Sequence, residues 1–255
     1  MNLNCRYSKP VLALAAAAMA IELMTAQAAF AGRAGIDEFR ADIHAVGGGS
    51  VFFPSGATDG NTYGDWSTVW WQHMTSIPFD PTTNCGYGQS GPVWFLAESP
   101  SGKGAQSLSC TVPAGKAIFV PIINVECSTL EKPPFSTSPN GMPNGNFGCA
   151  DEESCRRCAT TYGDHIVASD LNASIDNTPV TNLTTFRAAS PPFTFNAANK
   201  NVFINAVGRG TSASDGYWLL VRPLSVGTHT IRLHGSFDIL NNFTEDVVYT
   251  IIVTP

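Results

Sequence analysis

Tyr217-Trp218-Leu219-Leu220-Val221-Arg222-Pro223-Leu224-Ser225-Val226-Gly227-Thr228-His229-Thr230-Ile231-Arg232-Leu233-His234 contains two strand patterns joined by a turn signal. The first pattern, Tyr217–Leu224, is a largely apolar run, and Ser225–Gly227 supplies the turn. The second alternates, with His229, Ile231 and Leu233 on one face and Thr230, Arg232 and His234 on the other. His229 and His234 therefore cannot both ligate one metal from a regular strand. Working outward, Val247–Val253 follows a turn at Asp238–Asn242. Upstream, Val202–Val207 reads as a strand, and Leu171–Ile175, Asp176-Asn177 and Val180–Phe186 read as a hairpin. Further upstream, Val93–Ala97 and Ala117–Val125 are continuous apolar runs, with a turn at Pro113-Ala114-Gly115-Lys116 between them. Asp215-Gly216 reads as a turn before Tyr217. This succession predicts a mainly β chain, a single antiparallel β-sandwich or jelly-roll-like domain over residues 32–255.

Two or three short helices are expected to cap one end. A first candidate spans Ile36–Ala45, followed by a turn at Gly47-Gly48-Gly49. The clearest spans Asp65–Ser76: Trp66, Val69, Trp70, His73, Met74 and Ile77 recur at helical spacing, with Asp65 as a candidate N-cap and Pro78 as the stop. Trp66 and Trp70 are expected in the core. Trp71 lies about 100° round from Trp70 and is expected to be more exposed. After a Pro-, Ser-, Asn- and Gly-rich surface excursion over residues 128–150, Asp151-Glu152-Glu153 opens another helix. Its carboxylates suit the positive end of the helix dipole. Cys155, Cys158, Ala159, Tyr162 and Ile166 share the inner face of that helix.

Composition narrows the function classes. Of 255 residues, 44% are hydrophobic and 13% charged, and the net charge is −6. Such a chain has the apolar content to bury a core and lacks the basic excess that nucleic acid or an anionic membrane surface selects. Arg6 and Lys9 precede an apolar stretch, Val11–Met24, interrupted only by Glu22. Ala26-Gln27-Ala28 and Ala29-Phe30-Ala31 then supply A-x-A cleavage patterns. Residues 1–31 read as a signal peptide cleaved after Ala31, because the apolar stretch is shorter than the roughly 20 residues that span a bilayer. The expected product is secreted or periplasmic, with no membrane insertion after cleavage. Cys5 would be lost with the signal, leaving Cys85, Cys110, Cys127, Cys149, Cys155 and Cys158 of the seven cysteines. An even number in an exported chain reads as disulfides. Cys85 and Cys110 flank the Val93–Ala97 strand and are expected to pair, as a meander would bring them to one sheet edge. Cys127 is expected to pair with Cys149, Cys155 or Cys158. A Cys3His zinc site from Cys149, Cys155, Cys158 and His165 is the competing reading.

Catalytic and cofactor signatures are absent from the sequence. Gly88-Gln89-Ser90-Gly91-Pro92 is not G-x-S-x-G, and there is no P-loop, G-x-G-x-x-G or H-E-x-x-H, so no cofactor and no metal is expected. Pro113-Ala114-Gly115 resembles the second motif of cupins. However, Ile118 stands where that motif needs a metal-binding histidine, and the paired histidines of the first motif are missing. The most suggestive stretch runs from Tyr63 to Met74 and holds three of the five tryptophans. Tryptophan faces stack on sugar rings, so Trp70, Trp71 and His73 are candidate ligand-binding residues, with a carbohydrate or another small molecule as the expected partner. His73 falls inside an apolar face, where an imidazole needs hydrogen-bond partners and is more often structural than catalytic. Glu126 ends a long apolar strand and reads either as a solvated carboxylate or as a group at the sheet end beneath the helix. Asp65, His73 and Glu126 are the candidate acid–base groups for a hydrolase or lyase. A structural cell-surface role fits the same composition.

Several segments together resemble a group of uncharacterised exported bacterial and archaeal proteins. They are Tyr63-Gly64-Asp65-Trp66, Trp70-Trp71-Gln72, Ser76-Ile77-Pro78, Gly91-Pro92-Val93-Trp94-Phe95-Leu96-Ala97, Cys110-Thr111-Val112-Pro113-Ala114-Gly115-Lys116, Pro121-Ile122-Ile123-Asn124 and Ser214-Asp215-Gly216-Tyr217-Trp218. The resemblance covers most of residues 60–255 and implies export and a shared fold, with no activity to carry over. In that group the residue after Trp-Trp-Gln is often another tryptophan, and His73 departs from it, which weakens a catalytic reading of His73.

Overall fold

A computed structural model describes residues 50–52, 54, 60–98 and 105–255. The signal segment, the Ile36–Ala45 helix and the triple-glycine turn lie outside the described residues. The described chain is mainly β, with two α-helices among the described residues. One sheet is centred on two long neighbours, β4 (Ala117–Ser128) and β9 (Gly208–Val221). β2 (Val93–Phe95) lies on the free side of β4. β1 (Val51–Phe52), β7 (Arg187–Ala189) and β8 (Phe193–Ala197) share the far side of β9. The other sheet runs β3 (Gln106–Pro113), β11 (Thr244–Thr254), β10 (Gly227–Ser236), β5 (Asn172–Ile175) and β6 (Thr178–Pro179).

Both sheets are mixed, which corrects the expectation of antiparallel pairing throughout. β2 runs parallel to β4, and β3 parallel to β11. Parallel neighbours need a crossover, and here the crossover is itself a strand: the chain leaves the first sheet after β2, forms β3 in the second, and returns as β4. The sequence reading missed β3, although Leu108, Cys110 and Val112 alternate along it. It also expected strands over Val180–Phe186, where a 3-10 turn forms at Leu183–Phe186, and over Val202–Val207, where the chain is irregular. Asp215-Gly216 is no turn but the middle of β9. The turn at Asp176-Asn177 does form, with both residues at positive φ (49° and 63°), as a two-residue hairpin requires.

Helix α1 (Tyr63–Ser76) packs along β8, β7 and β9 and reaches β4 through Tyr63 and Trp71, and helix α2 (Glu152–Gly163) packs against β9 and β4. Thr62, not Asp65, caps α1: Asp65 N donates to Thr62 Oγ1 (3.2 Å) and Thr62 N donates to Asp65 Oδ2 (2.9 Å), a reciprocal capping box. Tyr63, Gly64, Trp66, Ser67, Trp70, Trp71, Met74 and Thr75 are buried, whereas Val69 is 36% exposed. The buried face is thus rotated from the expected one toward Gly64, Ser67, Trp71 and Thr75. Small residues there let the helix sit close: a Cβ on Gly64 would collide with the carbonyl of Ala189 in β7.

All six described cysteines form disulfides: Cys85–Cys110, Cys127–Cys158 and Cys149–Cys155. The Cys85–Cys110 pairing is the expected one, with Cα atoms 5.7 Å apart. Its reason differs, because Cys110 belongs to β3 and the bond ties the loop before β2 to the opposite sheet rather than closing a meander. The sulfurs of the proposed Cys3His site are consumed in disulfides, and His165 instead bonds Asp238 through Nδ1 (2.9 Å).

Candidate functional site

A register shift in β4 between Pro121 and Ile123 places the site. Before it, Phe119 lies under α1 against Tyr63. After it, Asn124 faces α1, and Glu126 follows on the same side with the two-residue period of a strand. β2 ends at Phe95, so the stretch of β4 after the shift is not flanked by that strand. A cavity of about 300 Å3 opens there, lined by Trp71, Asn124, Val125, Glu126, Glu131, Phe147, Phe203, Phe237, Leu240 and Phe243.

The walls come from four parts of the chain. Trp71, on α1, donates through Nε1 to Asn124 Oδ1 (3.0 Å), and Asn124 Nδ2 donates to Glu98 Oε2 (2.8 Å), so both ends of this amide are fixed. Gly216 lies opposite Asn124 in β9, where a Cβ would strike the Asn124 backbone and side chain. Phe203, in the segment between β8 and β9, meets Trp70 and Trp71 edge-on, at 5.9 and 5.8 Å between ring centres. Asn201 anchors that segment by donating to Met74 O (2.6 Å) and Ile77 O (2.9 Å) at the end of α1. Phe237, Leu240 and Phe243 come from the β10–β11 connection, where Leu240, Asn241 and Asn242 all take positive φ. A leucine rarely adopts that conformation, and here it contributes to the cavity wall. Phe147 comes from the Pro-rich excursion, held to the end of β4 by Ser128 N donating to Phe147 O (3.1 Å).

Two carboxyl groups form the polar floor. Glu126 is buried and accepts from Ser212 Oγ of β9. Glu131 is half-buried and accepts from Ser128 N and Ser128 Oγ, both at 3.1 Å. Burial, and then the neighbouring Glu131, push the Glu126 carboxyl well above the usual carboxylate range. Burial pushes Glu131 up as well, while its hydrogen bond with Glu126 opposes that rise. Burial thus favours the protonated form of both carboxyls, and more so for the deeper Glu126. Glu98 is raised too, by burial and by Glu245.

The candidate acid–base groups are not brought together. Asp65 is engaged in the helix cap. His73 lies two residues from Trp71 and so about 200° round the helix. It lines a separate cavity of about 430 Å3 with Trp66, Gln72, Gln89 and Phe95, its ring 5.7 Å from that of Phe95, and burial lowers its pKa. Only Glu126 reaches the Trp71 cavity, as a buried acid rather than a solvated one. Trp70 is fully buried, its Nε1 donating to Leu96 O (2.8 Å), and cannot meet a ligand. Trp71, expected to be exposed, is only 6% so, because Phe203 and Asn124 cover it; what it presents faces the cavity. Asn124, Glu131 and the phenylalanines were missed. Asn124 and Glu126 did carry a signal, as two polar residues spaced by two in an otherwise apolar strand. Glu131 and Phe147, in a segment without periodicity, carried none.

No family model and no curated protein matches this chain. Among solved structures, one described as "Structure of PbICP-C in complex with falcipain-2" aligns at 9% identity with a TM-score of 0.24, over 64% of this chain and 100% of that one. Among the described residues, no helix is long and apolar enough to cross a membrane.

Proposed function

We propose that this is an exported small-molecule-binding protein whose ligand enters the cavity between Trp71 and the Glu126–Glu131 pair. One observation carries the reading. A tryptophan edge, a doubly anchored amide and two carboxyls converge on an otherwise apolar, largely aromatic cavity of about 300 Å3, and a few convergent polar groups in an apolar recess are the usual make-up of a ligand site. Burying those carboxyls works against stability, and a ligand that uses them gives a reason for the arrangement. The three disulfides support an oxidising, secreted or periplasmic location. The accompanying fold reading is a β-sandwich with this cavity at one end.

The test is titration of the purified protein with sugars and with small amphipathic compounds, read by tryptophan fluorescence. A saturable change that is lost in Trp71→Phe is the expected result. The absence of any saturable response across both sets would overturn the reading.

A further inference from the structure

We infer that the ligand of this cavity is a compact organic ammonium ion: aromatic walls surround two facing carboxyl groups, and the lining contains no lysine, arginine or histidine. The inference rests on the reading of the cavity as a ligand site and adds the chemistry of the ligand. An anion would meet Glu126 and Glu131 with like charge. A neutral sugar would leave their charge uncompensated once ionised. An inorganic cation such as calcium takes six to eight oxygens, more than two carboxyls and one amide supply among rings. An ammonium ion on an apolar body suits both features, since aromatic faces attract cations and carboxylates pair with them.

The groups facing the pair agree in sign. Ser128 and Ser212 bond it from β4 and β9, and Glu98 lies across Asn124. Burial raises the phenol of Tyr162 on α2, a backbone hydrogen bond at Gly145 opposes that rise and the neighbouring Glu131 adds to it, and the hydroxyl donates to Asn146 O at 3.1 Å. None supplies a positive charge. Burial raises both carboxyls of the pair, so a cation that pairs with their ionised form draws a proton off them. Affinity for a cation that does not itself titrate must therefore rise with pH.

The experiment is calorimetric titration of the disulfide-intact protein at pH 6, 7 and 8 with benzyltrimethylammonium, benzyl alcohol and benzoate. The ammonium ion should bind about tenfold or more tightly than the alcohol, the margin expected of a desolvated cation held against aromatic faces beside a carboxylate. It should tighten with pH and release a proton in buffers of differing ionisation enthalpy, and benzoate should bind weakest. Glu126→Gln and Glu131→Gln should each bring the ammonium ion to the level of the alcohol and flatten its pH dependence. If the alcohol binds as well as the ammonium ion, and Trp71→Ala abolishes both, the cavity reading stands and the ammonium inference is wrong. An ammonium preference that survives both glutamine variants overturns it equally. Failure of all three probes to bind removes the cavity reading and the inference together.

Discussion

The two ends of the β4–β9 pair lie under the same helix and are both buried, yet they are built from opposite chemistry. Before the register shift, Phe119 stacks on Trp218 (5.2 Å, 11° between planes), Trp70 meets Trp218 edge-on at 5.5 Å, and Tyr63 meets Phe119 at 5.7 Å. The Tyr63 hydroxyl completes this end, donating to Phe52 O (2.6 Å) and accepting from Leu220 N (2.9 Å). After the shift, the corresponding positions are Asn124, Glu126, Ser212 and Ser214, buried and polar. One end satisfies the demand for a dry, close-packed interior. The other departs from it at the place where a cavity opens, and such departures mark sites kept for something other than stability.

The largest contrast should come from truncating the apolar end. Trp218→Ala is expected to cost about 3–5 kcal/mol in urea unfolding, through lost burial and the hole left beside Phe119 and Trp70. Trp218→Phe should cost distinctly less, because the indole N–H of Trp218 has no hydrogen-bond partner among the described residues. Equal costs for the two variants would show that the packing of this end does not depend on ring volume.

The disulfide that pins β4 to α2 comes next. Cys127 is at the polar end of β4, and its bond to Cys158 closes a 31-residue separation. Replacing both by alanine should remove about 3 kcal/mol through freer unfolded chain. Binding in the cavity should weaken as well, because Glu131 and Phe147 lie within the closed loop. Unchanged stability alongside intact binding would separate the loop from the site.

This contrast between the two ends was only half legible in the sequence. The long apolar runs at Ala117–Val125 and Tyr217–Leu224 and the tryptophan-rich helix were read as strands and helix and fall on β4, the last part of β9 and α1, because periodicity and hydrophobic density report burial directly. A shift of register leaves no such trace. It moved Asn124 and Glu126 under the helix where an unbroken alternation would have placed them on the other face. The rotation of α1 that buries Trp71 depends on contacts with Asn124 and Phe203, which lie 53 and 132 positions away along the chain. The parallel pairings were hidden for a similar reason: strand direction in β2 and β4 is set by an excursion through the other sheet, and local pattern carries no record of that path. The pairing of Cys85 with Cys110 was reached although its supposed meander does not exist, since proximity to β2 is common to both topologies.

The smallest effect, and the sharpest probe of the polar end, is Glu126→Gln. A carboxyl whose folded-state pKa is raised binds its proton more tightly in the native chain than in the unfolded one. Its contribution to stability is therefore fully present below the ordinary glutamate value and is lost as pH rises through the folded value. Glutamine keeps the size and carries no titrating proton, so the variant should match the parent near pH 4.5 and become the more stable, by about 1 kcal/mol, near pH 8. Other groups act in this range. His229, raised through its bond to Asp176, stabilises below its unfolded value and loses that contribution as pH rises through the folded one. His73, lowered by burial, contributes above its unfolded value and loses that as pH falls. Both occur in parent and variant and cancel in the difference, which makes the difference in urea midpoint between the two proteins across pH 4.5 to 8 the quantity to measure. A gap that widens with pH sets the polar end apart as a place where stability is conceded, whereas a constant gap would mean that Glu126 is ionised in the native chain and that the two ends differ in composition alone.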